Sequence, residues 1–352
     1  MPSTELKSMT AALAELAPTP DAAGDWPEAS IDLIAQAGCW TGVIPQPFGP
    51  GPRTGPELLQ FYEALGKGDL SVALILTQHD GACELIAAAE NDGLKNRLLP
   101  EFAAGRRLAT VGISQLTTSK RGKGPLMRAE YHGDGFRLTG LMPWVTSAKK
   151  CAVIVTGAVL PDDQQILACV AADSVGLTIG EPLDLLALRA SWTSEVRCDQ
   201  VRIEKKDLLR GPVTEALSLR SPVKPLVVSA VGLGLADAMR EDVQALAEKS
   251  GPPFDPIVAA LNERFERVHR HLYDAAGRLS DPVYELPAYD IRADVNALLM
   301  ELMTAHMTLS KGSGYVTGRR SHRLVREAIF FLVWSAPLQV QVDTLTRVLR
   351  ID

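Results

Sequence analysis

The hydrophobic period of this chain changes twice, from helical to strand-like and back, and that order restricts the fold more than any single motif. Up to about residue 108 apolar residues recur at helical spacing. Trp26-Pro27-Glu28 opens a run with Ile31, Leu33, Ile34 and Ala37, and Gly38 follows where a helix C-terminus favours glycine. Pro45-Gln46-Pro47-Phe48-Gly49-Pro50-Gly51-Pro52 is predicted as a loop, because prolines and glycines at this density exclude helix and strand. Helical patterns resume at Leu58-Leu59, Phe61-Tyr62 and Leu65 and continue through Val72–Leu76 to Leu98-Leu99.

Between about 109 and 212 the runs have strand length. Met127–Tyr131 and Phe136–Leu138 flank His132-Gly133-Asp134-Gly135, a hairpin signal. Ala152–Val155 and Ile166–Val170 are short apolar runs, and Val196, Cys198, Val201 and Ile203 suggest a further strand. From about 213 the helical period returns, with candidate helices at 226–239, 261–279, 291–309 and 321–332. The expected organisation is α+β: an N-terminal helical domain (1–108), a small middle β-sheet domain (109–212) and a C-terminal helical domain (213–352).

Composition narrows the function classes. The 352 residues, 46% hydrophobic, can bury a large core and allow two or three domains. A net charge of −6 gives no electrostatic footprint for nucleic acid. Five scattered cysteines form no Cys-x-x-Cys pair, which argues against a zinc site or redox dithiol and fits a reducing, cytoplasmic setting. Met1–Pro20 lacks the basic start and apolar stretch of a signal peptide. The longest greasy run, Pro225–Ala236, is too short to span a bilayer; it carries Gly232 and Gly234 and reads as a buried, closely packed helix, with no membrane association expected.

Several segments, in order and at near-constant spacing, resemble the acyl-CoA dehydrogenase family over nearly the whole chain. Gly42-Val43-Ile44-Pro45 with Phe48-Gly49-Pro50-Gly51 is similar to the family's early glycine-proline loop, and Glu63–Asp69 to its next helix. Gly140–Ala148 resembles its Gly-x-Lys-x-Trp-(Ile/Val)-Thr segment, and Arg189-Ala190-Ser191 with Val201-Arg202-Ile203 its closing strand. Gly312–Tyr315, Arg323–Ala328 and Gln339-Val340-Gln341 match its last helices. The resemblance implies a C-terminal four-helix bundle, FAD held between the sheet domain and that helical layer, an acyl-CoA thioester as substrate, and electron-transfer flavoprotein as redox partner of a catalytic chain. It also implies self-association or pairing with a related acyl-CoA dehydrogenase subunit.

Carried over residue by residue, Trp144 would pack beside the isoalloxazine ring, Thr146 would hydrogen-bond near its N5 edge, and Ser114 would lie near the pyrimidine. Lys249 falls near the family's arginine that reaches a neighbouring subunit's FAD, although a lysine lacks the guanidinium fork. Thr308 falls near the usual glutamine. The family's Glu-Pro-x-Ala-Gly-Ser-Asp loop is replaced by Gln115–Arg121, without the glycines that let backbone N–H groups approach a pyrophosphate. Lys120 and Arg121 either supply charge there or form a solvated loop.

The larger departure concerns the catalytic base. Removing the weakly acidic α-proton of a thioester needs a carboxylate within hydrogen-bond reach. The two positions that carry it in the family fall at Ser335 and at or near Lys224. Glu327 and Asp343 each stand eight positions from Ser335, ~12 Å along a continuous helix and out of reach. Glu327 is expected to pair with Arg323 or Arg326, and Asp343 to be surface charge. His79 either faces the flavin or is satisfied by polar neighbours; His269 and His271 read as a solvated face; His306 and His322 lack metal-ligand spacing. Three functions follow: acyl-CoA oxidation with a displaced base, a non-catalytic partner subunit of a mixed dehydrogenase assembly, and a flavin-dependent monooxygenase on the same fold.

Overall fold

In the computed structural model, which describes residues 4–40, 42–118, 124–218 and 221–351, six helices precede the first strand. They are α1 (Thr4–Leu16), α2 (Pro18–Ala23), α3 (Glu28–Gln36), α4 (Gly55–Gly68), α5 (Leu70–Ala87) and α6 (Asp92–Ala103). α3 ends as the sequence predicts, with Gly38 in the left-handed region at φ 64°. The proline-rich stretch forms the loop before α4. α5 starts where Asp69 accepts the amides of Ser71 and Val72 at 2.9 and 3.2 Å. Apolar residues dominate it, and all but Gln78, Glu84 and Ala87 of its residues are buried, so it lies in the interior of the layer.

The strands are β1 (Ala109–Gly112), then, after the short α7 (Ser114–Thr118), β2 (Met127–His132), β3 (Gly135–Val145), β4 (Val153–Val159), β5 (Gln165–Ala171), β6 (Leu177–Pro182), β7 (Ser194–Ile203) and β8 (Leu208–Val213). They form one sheet in the order β6-β7-β3-β2-β4-β5-β8, with β1 parallel to β4 through Ala109↔Val153. The predicted hairpin is β2–β3, closed at His132↔Gly135. β4 is apolar apart from Thr156 because both its faces are covered. Val153 and Val155 belong to the helical core, while Ile154 and Ala158 belong to a second core enclosed by the sheet itself.

Five helices follow: α8 (Lys224–Ser250), α9 (Asp255–Gly277), α10 (Ala288–Ser310), α11 (Arg320–Phe330) and α12 (Leu338–Leu349). That is one more than the four candidates in the sequence, and α8 runs well past the predicted Met239. The glycines of α8 do permit close packing. A Cβ on Gly234 would lie 1.9 Å from the Glu63 carbonyl oxygen of α4, and one on Gly66 of α4 would lie 2.2 Å from the Val231 carbonyl oxygen of α8. The two backbones therefore touch at a reciprocal glycine crossing. Lys67 clamps it by pairing with Asp237 and Glu241, each at 2.6 Å. His269 departs from the expected solvated face. It sits 3.2 Å from Glu63, which also accepts the Tyr273 hydroxyl, so α9 is tied to α4. Among the described residues no helix is long and apolar enough to cross a membrane.

Candidate active site

The first residue of α8, Lys224, points back at α5. Its Nζ is 3.4 Å from Glu84 Oε2 and donates to the Thr77 carbonyl at 3.5 Å. Gly81 makes room for it: a Cβ there would stand 3.3 Å from that nitrogen and 3.8 Å from Val111 of β1. Asp80, one helical turn before Glu84, is fully buried and accepts the hydroxyl of Tyr62. Burial pushes the Asp80 carboxyl up to about 7, against the opposing pull of the Tyr62 hydrogen bond and the Lys224 ammonium. Burial, and then the Asp80 charge, hold the Tyr62 hydroxyl well above its ordinary range.

Of these groups Glu84 lines a cleft of about 860 Å³ walled by the loop before α4, by α4 and α5, by the residues just before α8 and by the end of α9. Arg53, Glu84, Val223 and Leu279 are among its lining residues. Glu84 is thus a carboxylate in a largely apolar wall, held by a lysine. Ser335 lies elsewhere in its own loop, exposed, with φ 45°. Arg292 fixes that loop by donating to the Phe331 and Trp334 carbonyls at 2.9 and 3.0 Å. Burial pulls the Arg292 guanidinium down to about 9.

The residues expected at a flavin divide into two groups. Trp144 on β3 is 57% exposed although Met142 and Val145 beside it are fully buried, so an indole is left as an open platform on a packed sheet. Thr146 is buried; its carbonyl accepts from Thr110 Oγ1 at 2.8 Å, and its hydroxyl lies 3.2 Å from Thr193, which bonds Ser191 at 2.8 Å. Ser114 opens α7, which packs against β3, so Ser114, Trp144 and Thr146 share one end of the sheet. Lys249 and Thr308 are not with them. Asp242 of α8 and His306 of α10 are 3.4 Å apart, which puts both candidates at the C-terminal ends of two parallel helices. Lys249 is 25 residues, ~37 Å, beyond Lys224. Thr308 turns its hydroxyl to the Thr304 carbonyl at 2.7 Å.

α7 occupies the place of the expected phosphate loop. Gln115 Nε2 donates to Gly112, Thr156 and Gly157 at 2.7–3.0 Å. Leu116 fills the space over Gly157, where a Cβ would come within 2.3 Å of it. Lys120 and Arg121 lie outside the described residues.

Residues 6–106 match the acyl-CoA dehydrogenase N-terminal domain. Over 98% of its length the chain is 25% identical to the probable acyl-CoA dehydrogenase FadE25 of Mycobacterium tuberculosis, spanning 94% of that protein. The chain is thus similar to acyl-CoA dehydrogenases over nearly its whole length. Its fold matches butyryl-CoA dehydrogenase of Megasphaera elsdenii with a TM-score of 0.84 at 18% identity, covering 99% of each chain. It also matches FMN-bound TdsC of Paenibacillus sp. A11-2 with a TM-score of 0.83 at 15% identity, covering 99% of this chain and 97% of that one.

The carboxylates beside Lys224 and Tyr62 are not those sought from the sequence. Glu327 is buried and pairs with Arg323 at 3.3 Å as expected. Asp343 accepts the Gln339 amide at 2.8 Å. Glu84 and Asp80 were missed, yet a signal was present: two acids one turn apart, the only charged side chains of a largely apolar helix. His79 proves to be the satisfied kind. Its Nδ1 accepts the Ala109 amide at 3.1 Å, and burial pulls it down to about 4, so it stays neutral. Among the described residues no group of three His, Cys, Asp or Glu side chains is placed to hold a metal.

The raised Asp80 pKa fixes a sign. The folded protein keeps a proton that the unfolded chain releases near 3.8, so the contribution of Asp80 to stability is complete below about pH 4 and is lost as pH rises through about 7. Asp80→Asn is expected to flatten that fall by up to ~4 kcal/mol. Urea melts of both proteins between pH 4.5 and 7.5 check it; parallel curves for the two would contradict it.

Proposed function

We propose that this chain is a flavin-dependent oxidoreductase that oxidises an acyl-CoA thioester between its α and β carbons, with Glu84 as proton acceptor. The observation that carries this reading is the Glu84–Lys224 pair in the cleft wall: a carboxylate stands against the very lysine that occupies one of the two usual base positions. The reading therefore keeps the chemistry and moves its base onto α5. Glu84 takes the α-proton, and the Lys224 ammonium beside it opposes the negative charge that develops at the thioester. Tyr62 and Asp80 brace the same turn of α5 from behind.

FAD, when bound, supplies the hydride acceptor. The chain offers it the exposed Trp144 indole for the ring and the Thr146–Thr193 hydroxyls and Ser114 for its polar edge. It offers little for the pyrophosphate, where Gln115 and Leu116 turn inward. Lys249 and Thr308, remote in the same chain, fit a role toward the flavin of a second copy or a related subunit. Electron-transfer flavoprotein is the proposed acceptor of the electrons.

Anaerobic addition of acyl-CoA esters to the flavin-loaded protein is expected to bleach its visible absorbance. Failure across short, long and branched chains would overturn the reading. Trp144→Ala is expected to weaken flavin binding about fivefold, through loss of ~1 kcal/mol of ring stacking. Titration of the apoprotein with FAD, followed by flavin fluorescence, measures this; unchanged affinity would remove Trp144 from the site.

A further inference from the structure

Lys224 meets α5 where that helix carries two acids. Asp80 and Glu84 stand one turn apart, so their side chains share a face of the helix. The bare α-carbon of Gly81, between them in sequence, lets the ammonium in. Its 3.4 Å contact with Glu84 is longer than the about 2.7–2.9 Å of a tight ammonium–carboxylate pair. Glu84 faces the cleft, whereas Asp80 is off the cleft wall and 2% exposed. Asp80 Oδ2 accepts the Tyr62 hydroxyl, and Oδ1 is buried without a hydrogen-bond partner among the described residues. An anion here therefore depends on nearby cations. The groups whose charge reaches Asp80 are Tyr62 of α4, Lys224 of α8, Glu84 of α5 and Arg53 of the loop before α4. Cys83 is also within reach, and burial keeps its thiol protonated. Of the two cations, Arg53 is held over the Phe61 ring, 4.2 Å from its centroid, while Lys224 ends a flexible four-carbon stem. Burial keeps the Asp80 proton in place up to about pH 7, so the two acids share a single negative charge below that point.

We propose that Asp80 is a positioning residue that sets the strength of Glu84 as a base through the lysine between them. When Asp80 releases its proton to solvent, the Lys224 ammonium is drawn off Glu84, and the Glu84 carboxylate takes the α-proton more readily. The electrostatics act in the same direction. Proton abstraction moves negative charge from Glu84, one turn from Asp80, to the more distant thioester, and an anion at Asp80 favours that move. This rests on the reading of Glu84 as proton acceptor above.

The test follows deuterium exchange at the α-carbon of a non-oxidisable acyl-CoA thioester by the flavin-loaded protein, from about pH 5.5 to about 8.5, with the Glu84→Gln rate subtracted. The parent rate is expected to climb about tenfold in one step centred near pH 7. Asp80→Asn keeps the side-chain shape and an acceptor for Tyr62 but cannot ionise, so it should hold the low-pH rate throughout. Tyr62→Phe removes the hydroxyl that favours the anion and should move the step to higher pH. A merely structural brace would scale the rate equally at every pH and leave the step where it is. A parental step in Asp80→Asn, a Tyr62→Phe step at unchanged or lower pH, or a parent without a step overturns the role of Asp80 and leaves Glu84 as the base. Absence of Glu84-dependent exchange at every pH overturns the base reading, and the role of Asp80 with it. Thermal melts show whether each variant folds; should Asp80→Asn not fold, the Tyr62→Phe midpoint decides.

Discussion

Glu84→Gln is expected to lower turnover of the acyl thioester by 10²–10⁴-fold, the usual contribution of a positioned base. The same variant should lose exchange of the α-proton with deuterated water, measured by mass spectrometry on a thioester that cannot be oxidised. That exchange needs only removal and return of a proton, so it reports on the base independently of hydride transfer. The amide keeps the size of the carboxyl and its place beside Lys224, but cannot accept the proton. Exchange that persists at the parental rate would remove Glu84 from the role and return the question to a base supplied by another chain. A second variant sharpens the result. Ser335 lies outside the Glu84 cleft, so Ser335→Glu in the Glu84→Gln background is expected not to restore the exchange, and recovery would move the reacting carbon to the Ser335 loop.

The second large effect is structural. Gly234→Ala should destabilise the protein by more than ~3 kcal/mol, at or beyond the usual range for forcing extra atoms into a packed core. The added methyl would stand 1.9 Å from the Glu63 carbonyl oxygen and 2.7 Å from the Lys67 amide nitrogen, both backbone atoms of α4. No side chain can rotate away, so α4 and α8 must separate. The ~1 kcal/mol that alanine gains over glycine in a helix does not offset this. Gly66→Ala meets the mirror contact at Val231, so the double variant should cost less than the sum of the two, because one separation relieves both. Denaturant midpoints of the three variants decide it, and strict additivity would mean the crossing is looser than drawn.

Much of the fold was legible because its signals are local. The hairpin at 132–135, the β4 and β5 runs, and the long helices of the C-terminal layer follow from period and turn chemistry alone. β1, β6 and β8 were not read from the sequence. Each is only four to six residues long and depends on pairing partners distant in the chain, as with Ala109 and Val153. The candidate site was harder. Trp144 stood out as an aromatic in a distinctive segment. Glu84 did not, because its importance comes from Lys224, 140 positions away, and from the bare α-carbon of Gly81 that lets the lysine reach it. Searching outward from Ser335 along its own helix could not find a partner that arrives from another layer.

The central position of α5 has a consequence for how this protein can change. Its amides should exchange with solvent only on global unfolding, because all but three of its residues are buried. The reacting carboxyl would then sit on the stiffest part of the molecule, ready-aligned but intolerant of substitution around it. Divergence toward new acyl groups would have to run through the rim instead, along residues 42–45, 52–56, 221–223 and 276–280, where the wall of the cleft consists of loops and helix ends.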